Sequence, residues 1–196
     1  MNDTEYILEN TFLLSRLVAG VNINLEKNLE WLQKAYPLTQ RASVTVNNTT
    51  FRYPVVYKTD SRQYFEKVAP DARLSGFSFF EQNGPMQFVD QVLQPSFGRQ
   101  LMTQRFSVSL IFWVNLSKIN IGKDFDYTDE LIADVLNNAN MRVNTDITRI
   151  ENMQVETRND FIFSLYDYDQ TDKQYLLYPY SAFRINMDWI TVPKYC

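Results

Sequence analysis

A strict two-residue alternation between Phe106 and Leu116 constrains the fold more than any other feature of the chain. Every even position in this stretch is apolar, whereas the odd positions include Ser107, Ser109 and Asn115. A period of two over eleven residues indicates a β-strand with one face in the core. Two apolar residues at odd positions imply that the second face is partly covered. The centre of the protein is therefore predicted to be a long, largely buried strand.

An amphipathic helix is predicted shortly after this strand. Beyond an acidic linker, the apolar residues fall on one side of an α-helix: Leu131, Ile132, Val135, Leu136 and Ala139. A long strand that leads into an amphipathic helix is typical of a sheet with helices packed against it.

Residues 1–36 are predicted to be mainly helical. Apolar residues recur at helical spacing from Ile7 to Val21 and again from Leu25 to Leu32. Gly20 is expected to end or bend the first segment, and Pro37 is expected to stop the second. The region is therefore predicted to be two helices or one interrupted helix, either packed against the sheet or serving as a partner-binding arm.

A β-hairpin is predicted over residues 42–57, with a turn at Asn47-Asn48. Pro54 lies in its return strand and indicates an edge strand or a bulge, because proline cannot donate a ladder hydrogen bond. An edge strand is a place where another chain can add on. Arg184, in the last strand, could meet an acidic neighbour from another subunit. The candidate subunit-interface residues are therefore Phe51, Tyr53, Pro54, Tyr57 and Arg184.

The remaining pattern completes the fold prediction. A short helix is predicted over residues 60–68, and strands over 74–80, 147–155, 161–166, 175–178 and 182–192. We find no internal repeat and no domain linker. We therefore predict an α+β fold in one domain, residues 1–196. It has an N-terminal helical region (1–36) and a sheet-and-helix core (42–196), with a single mixed, mostly antiparallel sheet flanked by helices.

Residue usage argues against catalysis and cofactor binding. The chain has no histidine, its single cysteine is Cys196, and it has five glycines. Ser–His and Cys–His nucleophile pairs, His-bearing zinc sites and glycine-rich phosphate loops are therefore excluded. No apolar run approaches the roughly 20 residues that span a bilayer. We predict a soluble protein from a reducing compartment that is not an enzyme and has no cofactor, metal or membrane partner.

The acidic residues are concentrated in the second half of the chain. Residues 124–172 contain twelve acidic residues and three arginines, a local net charge of −9. Such a surface repels phosphates, so specific nucleic-acid binding is not expected. The cluster beginning at Asp124 lacks the glycine of a calcium loop, and Asp126 or Thr128 is expected to cap the following helix. The second cluster, residues 167–172, is predicted to be a loop between strands.

Three parts of the sequence together resemble the tail-terminator proteins of tailed bacteriophages. Phe51–Tyr57 with Tyr64-Phe65 is similar to the early strand and short helix of that family. Arg105–Asn115 followed by Asp126–Asn140 resembles its central strand and crossing helix. The closing segment from Tyr178-Pro179-Tyr180 into the alternating last strand is similar to its terminal strand. These pieces cover about half of the chain, and none of them is a catalytic signature.

The resemblance implies a structural role in the virion after assembly in the host cytoplasm. Proteins of this family form rings, commonly hexamers, that cap the completed tail tube and join it to the head connector. The implied partners are copies of the same chain and tail-tube, sheath or connector proteins. A channel that passes DNA benefits from a lumen that does not hold phosphates, so Asp167, Asp169 and Asp172 are candidate lumen residues. The alternatives are another head–tail neck or ring protein, or a monomeric intracellular binding or inhibitor module.

Overall fold

The computed structural model describes residues 3–57, 65–94, 99–120, 122–138, 147–167 and 177–191. Four helices and nine strands occur within these ranges. In chain order they are α1 (Asp3–Asn28), β1 (Lys34–Leu38), β2 (Gln40–Val46), β3 (Thr49–Tyr57), β4 (Phe65–Lys67), β5 (Gly76–Gln82), β6 (Gln87–Gln94), β7 (Arg99–Asn115), α2 (Leu116–Ile119), α3 (Thr128–Asn138), β8 (Ile147–Glu156), α4 (Asn159–Ile162) and β9 (Tyr180–Thr191).

The long strand β7 organises a six-stranded mixed sheet. The strand order is β1-β5-β7-β9-β8, and β6 pairs with β7 beyond the end of β5. All pairs are antiparallel except β1 with β5. Strands β2, β3 and β4 form a separate antiparallel sheet. The predicted α+β class with a mixed, mostly antiparallel sheet is confirmed, although the strands divide between two sheets instead of one.

Over residues 106–114, both faces of β7 pack in apolar clusters, one on each side. The even positions, such as Leu110 and Phe112, pack in a cluster with residues of α1 and α3. The odd positions Ile111 and Trp113 pack in a second cluster with residues of β3, β5 and the segment after α4. The sequence period correctly predicted a strand with one face in the core. The second cluster explains the apolar exceptions at odd positions.

The N-terminal region differs from its prediction in two ways. Helix α1 continues through Gly20, because buried residues such as Leu17 and Val21 lie on either side of that glycine. One interior glycine costs about 1 kcal/mol, which the buried face of the helix outweighs. The helical region also ends earlier than predicted, at Asn28. Pro37 does not stop a helix but lies in β1.

Strand β1 tolerates this proline because it is an edge strand of the large sheet. Helix α1 covers the same strand. The Asn22 side-chain amide donates to the Tyr36 carbonyl at 2.9 Å, and the Ala35 backbone N–H donates to Glu26 Oε1 at 2.9 Å. This margin of the sheet is therefore protected by the chain itself.

Three short elements were predicted wrongly. Residues 65–67 form β4 where a helix was predicted, and residues 60–64 of that prediction lie outside the described residues. Residues 161–166 contain the end of α4 and turns in place of a strand. Residues 177 and 178 are irregular, while 175 and 176 lie outside the described residues. Each segment was too short for periodicity to separate a strand from one turn of helix.

Candidate functional site

The outer part of the β2–β3 hairpin is the first candidate interaction surface. Asn47 and Asn48 form its two-residue loop with φ of 49° and 62°, as a type I′ turn requires. Every described side chain from residue 43 to residue 50 is exposed, including Val44. We call this segment, residues 43–50, the outer hairpin. A two-stranded ribbon exposed on both faces is marginally stable alone, which favours contact with another chain.

The predicted interface residues of β3 lie at and beyond the base of the outer hairpin. Tyr57 is exposed, whereas Phe51 and Tyr53 are half-buried. The Lys67 ammonium lies 5.4 Å from the centre of the Tyr53 ring, which fixes a cation over that ring. Part of the Phe51 and Tyr53 side-chain surface is thus accessible to a neighbouring chain, and a larger part of the Tyr57 side chain is accessible.

Pro54 does not occupy the predicted edge or bulge. It is buried, and β3 is the middle strand of its sheet. The Pro54 carbonyl accepts a hydrogen bond from the Val68 backbone N–H at 2.9 Å. The nitrogen of a strand residue points to the same side as its carbonyl. The side of Pro54 on which an N–H would lie therefore faces the chain beyond Lys67, the last residue of β4.

Arg184 is likewise not placed at an outer surface. Its side chain is buried, with the whole residue 8% exposed. Its Nε donates to Ser109 Oγ at 2.9 Å and to Asn186 Oδ1 at 2.8 Å, and its Nη2 donates to Asn83 Oδ1 at 3.0 Å. Because the Arg184 guanidinium already donates hydrogen bonds within its own subunit, it has little remaining capacity to bind a neighbouring subunit. The alternation of β9 predicted an outward Arg184 because it could not reveal polar partners on the same face.

Glu81 completes a buried ionic cluster around Arg184. The Glu81 carboxylate lies 3.6 Å from Arg184 Nη2 and accepts a hydrogen bond from Arg41 Nη2 at 3.0 Å. Burial raises the pKa of the neighbouring Tyr166 hydroxyl, and the negative charge of Glu81 raises it further. Arg41 belongs to β2, so the cluster ties the small sheet to the large one. Its arrangement is that of a structural bridge between sheets.

Asp167, a predicted lumen residue, bridges the segment after α4 to β3. Its carboxylate accepts hydrogen bonds from the Arg52 backbone N–H at 2.6 Å and from Arg52 Nε at 3.4 Å. Its own backbone N–H donates to the Arg52 carbonyl at 2.9 Å. The backbone hydrogen bond from Arg52 lowers the pKa of Asp167.

The position of Asp167 therefore differs from that of a free channel-lining acid. Its side chain is 15% exposed, and its carboxylate is occupied by Arg52. The other two candidate lumen residues, Asp169 and Asp172, lie outside the described residues.

The first acidic cluster caps a helix, as predicted. The Asp126 carboxylate accepts a hydrogen bond from the backbone N–H of Thr128, the first residue of α3, at 2.9 Å. Asp129 and Glu130 lie in the first turn, where the helix dipole favours negative charge. Within the described ranges, no group of three metal-ligating side chains converges on one point.

An exposed aromatic patch lies beside this cap and was missed in the sequence. Phe125, Leu177 and Tyr178 are 57%, 65% and 53% exposed. We call these three residues the aromatic patch. The Tyr178 hydroxyl donates to the Lys123 carbonyl at 3.4 Å, which joins the two loops that carry the patch. The sequence feature that could have indicated this patch is an apolar residue, Phe125, between two aspartates in a linker.

Tyr127 is buried beneath these two loops. Its ring lies edge-on to Phe125 at a centroid distance of 6.3 Å, and the Lys123 ammonium lies 4.7 Å from its ring centre. Its hydroxyl donates to the Leu116 carbonyl, and burial raises its pKa. The patch therefore has a fixed base although its outer side chains face solvent.

The helices of the described ranges include none that is both long and apolar enough to cross a bilayer. Comparison of the chain with protein-family models gave no match, and comparison with curated proteins gave no significant match either.

Proposed function

We propose that this protein is a structural virion component that forms a ring at the head-proximal end of a phage tail. In this role, a tail terminator, it joins the tail tube to the head connector. The observation that carries the proposal is the outer hairpin, a ribbon exposed on both faces. Such a ribbon gains stability when a neighbouring subunit covers it.

Three of the segments that carry the resemblance coincide with described strands, but the short helix that it implies at Tyr64-Phe65 has no counterpart, because Phe65 begins β4 and Tyr64 lies outside the described residues. The segments similar to an early strand, a central strand and a terminal strand correspond to β3, β7 and β9. The crossing helix corresponds to α3, which packs on the even-numbered face of β7. The likeness is one of arrangement, so it supports the family as a proposal.

The polar interior favours a structural role over catalysis. The buried ions Arg184 and Glu81 form an ion pair at 3.6 Å, and each also accepts or donates hydrogen bonds within its own chain. A catalytic carboxylate needs access to a substrate, and Glu81 is buried between two arginines. The burial of Glu81 therefore argues against a catalytic role for this carboxylate.

Assembly state tests the proposal directly. We expect the purified chain, alone or with tail-tube protein, to form a closed oligomer by native mass spectrometry and by negative-stain imaging. Phage that lack the chain should accumulate tails with uncapped tubes that fail to join heads. A chain that stays monomeric with tube protein and binds one intracellular partner would establish the binding-module alternative. A ring found only on the head side would establish the neck-protein alternative.

A variant of the outer hairpin refines this test. Val44→Asp places a charge on the exposed ribbon and should weaken assembly at least about tenfold, because one desolvated charge costs more than 1.4 kcal/mol. Ile23→Asp is the matched control, because Ile23 is also exposed but lies on α1. Equal loss of assembly in both variants, or no loss in either, would show that the outer hairpin is not part of the interface.

A further inference from the structure

The two edges of the outer hairpin differ in what adjoins them. On β3, the Arg52 backbone N–H donates to Asp167 Oδ2 at 2.6 Å, and the Arg52 carbonyl accepts from the Asp167 backbone N–H at 2.9 Å. Strand β2 is the terminal strand of the small sheet, and the structure describes no strand beyond it. The chain thus closes the β3 edge at Arg52 and leaves the β2 edge open in its described part.

The pairing of the hairpin determines which groups of β2 face this open edge. Antiparallel pairs alternate between pairs that exchange backbone hydrogen bonds and pairs that do not, and side chains lie closer in the second kind. Thr45 lies opposite Thr50, and their hydroxyl oxygens are 3.0 Å apart. Ser43 lies opposite Arg52, whose backbone N–H is directed to Asp167. Both pairs are therefore of the second kind, so Ser43 and Thr45 direct their backbone N–H and C=O groups to the open edge.

These outward backbone groups are accessible. Ser43, Val44 and Thr45 are exposed. Among the described residues, none makes a hydrogen bond to the backbone N–H or C=O of Ser43 or Thr45 at the open edge. A regular strand with exposed backbone donors and acceptors is a template on which another strand can pair.

Each of the other outer strand edges that the structure describes carries a protective feature. Helix α1 covers β1, and β4 has three residues. Strands β6 and β8 contain register shifts, and Asn152 in β8 has a φ of 52°. Covering helices, short strands and bulges are means by which proteins prevent edge-to-edge pairing. Strand β2 lacks them, since it pairs with β3 from Gln40 to Val46 without a register shift.

The sequence of β2 is compatible with pairing to itself. Residues 42–50 contain no charged side chain, so two copies can meet without repulsion between like charges. Ala42 and Val44 lie on one face of the strand, and Ser43 and Thr45 lie on the other. When the odd positions of two antiparallel copies exchange hydrogen bonds, odd positions oppose odd ones and even positions oppose even ones. Apolar side chains therefore oppose apolar ones, and hydroxyls oppose hydroxyls.

From these observations we infer that β2 of one copy pairs antiparallel with β2 of a second copy, about a two-fold axis at Val44. In this register, Ser43 of each copy exchanges backbone hydrogen bonds with Thr45 of the other, and the two Val44 side chains lie opposite each other. It is the register in which Ser43 and Thr45 of each copy both find a partner among the same two residues of the other copy.

This contact goes beyond the proposed ring. A two-fold contact closes on itself and produces a dimer, whether or not the chain also forms a ring. The contact uses the edge of β2 and leaves the two faces of the outer hairpin accessible to other neighbours. An assembly in which every copy makes this contact contains an even number of copies.

A pair of opposite charges at the axis tests the contact. Val44→Asp and Val44→Lys each place like charges directly opposite one another, and each should weaken dimerisation at least about tenfold. An equal mixture of the two variants should regain the dimer, because opposite charges then face each other. Regain is specific to a two-fold contact at Val44, since a contact with a different surface would not bring the two new charges together. Ile23→Asp, at an exposed position of α1, is the control.

A pair of proline variants tests the backbone hydrogen bonds. Thr45→Pro removes an N–H that faces the open edge, and Thr50→Pro removes one from the opposite edge of the same ribbon. Both lose the same contact between threonine hydroxyls, so they are matched. Thr45→Pro should weaken dimerisation at least about tenfold, because each dimer loses two hydrogen bonds, whereas Thr50→Pro should retain the dimer. Sedimentation equilibrium without tube protein measures the dimer, and circular dichroism establishes that each variant is folded.

Amide hydrogen exchange of the natural chain supplies a measurement that needs no variant. Exchange at Ser43 and Thr45, followed by NMR, should slow as the chain concentration rises, while exchange at Thr50 should not change. Exchange at Ser43 and Thr45 that is independent of concentration would overturn the pairing.

The remaining outcomes separate this pairing from the proposed function. A mixture of the Val44 variants that does not dimerise, or equal loss in the two proline variants, would overturn the pairing. A ring with an odd number of copies, or a ring formed by a natural chain whose β2 edge stays unpaired, would overturn the pairing and leave the ring proposal intact. A natural chain that dimerises through β2 but forms no ring with tube protein would overturn the ring and leave the pairing intact.

Discussion

At the scale of single residues, the described ionic groups act mainly within their own chain. Arg184 and Asp167 were predicted from sequence to face a neighbouring subunit and a channel. Both are instead occupied by groups distant in sequence, because the large sheet brings Asn83, just after β5, to Arg184 on β9, and the segment after α4 brings Asp167 to Arg52 on β3. Sequence periodicity predicts on which face of a strand a side chain lies, but not which residue it contacts there.

Loss of the Arg184 guanidinium should destabilise the fold strongly. Arg184→Met leaves Glu81 with one cation and leaves Asn83 without its donor, so we expect a loss of about 3 kcal/mol in the free energy of unfolding. Urea denaturation measures it, and Glu81→Gln completes a double-mutant cycle with a coupling of roughly 0.5–3 kcal/mol. Arg149→Met is the control, since that arginine is exposed and should cost less than about 1 kcal/mol. Similar losses in the two variants would contradict a structural role for the cluster.

The bridge formed by Asp167 should depend on pH. Its pKa is lowered in the folded chain, so it contributes stability above its ordinary pKa of 3.8 and loses that contribution as pH falls through the lowered value. Asp167→Asn should therefore reduce the melting temperature at pH 7, and the difference from the natural chain should shrink as the pH falls below 3.8. Asp124→Asn, at an exposed position, is the control. A difference from the natural chain that does not shrink at any pH below 3.8 at which the chain stays folded would contradict this assignment.

At the scale of elements, long periodic segments were predictable and short ones were not. The alternation of β7 and β9 and the apolar side of α3 correctly predicted those elements, because each has enough residues for its period to be distinct. The sequence of β3 also predicted a strand. Pro54 suggested an edge, yet β4 is so short that the proline lies past its end. The aromatic patch was missed because its loops meet only in the folded chain.

Gly76 should be less replaceable than Gly84. A Cβ on Gly76 would lie 3.2 Å from Trp31 Cε3 and 3.4 Å from the Trp113 carbonyl oxygen, between the sheet and the segment that joins α1 to β1. Gly76→Ala is therefore expected to cost about 1–3 kcal/mol through overpacking. Gly84 has open space around it but a φ of 95°, so Gly84→Ala should cost about 1 kcal/mol through backbone strain. Thermal unfolding compares the two, and an equal or larger loss at Gly84 would mean that Trp31 yields easily.

At the scale of the whole molecule, polar and apolar surfaces are distributed in a way that suits assembly. One margin of the large sheet is covered by α1, whereas the outer hairpin and the aromatic patch are exposed. A chain that protects one edge and leaves these two surfaces exposed is suited to contacts on more than one side. In a ring, such contacts include neighbours on both flanks and a partner above or below.

The remaining candidate lumen acids should affect the passage of DNA through such a ring. Asp169→Asn with Asp172→Asn removes two negative charges and leaves Asp167 in its bridge to Arg52. Weaker repulsion of phosphates should slow DNA release, most clearly at low salt where screening is least. Release from assembled phage, followed with a DNA-binding dye, measures the rate. Asp124→Asn with Asp129→Asn is the control of equal charge. Unchanged release in the first variant, or equal slowing in both, would mean that residues 167–172 do not line the channel.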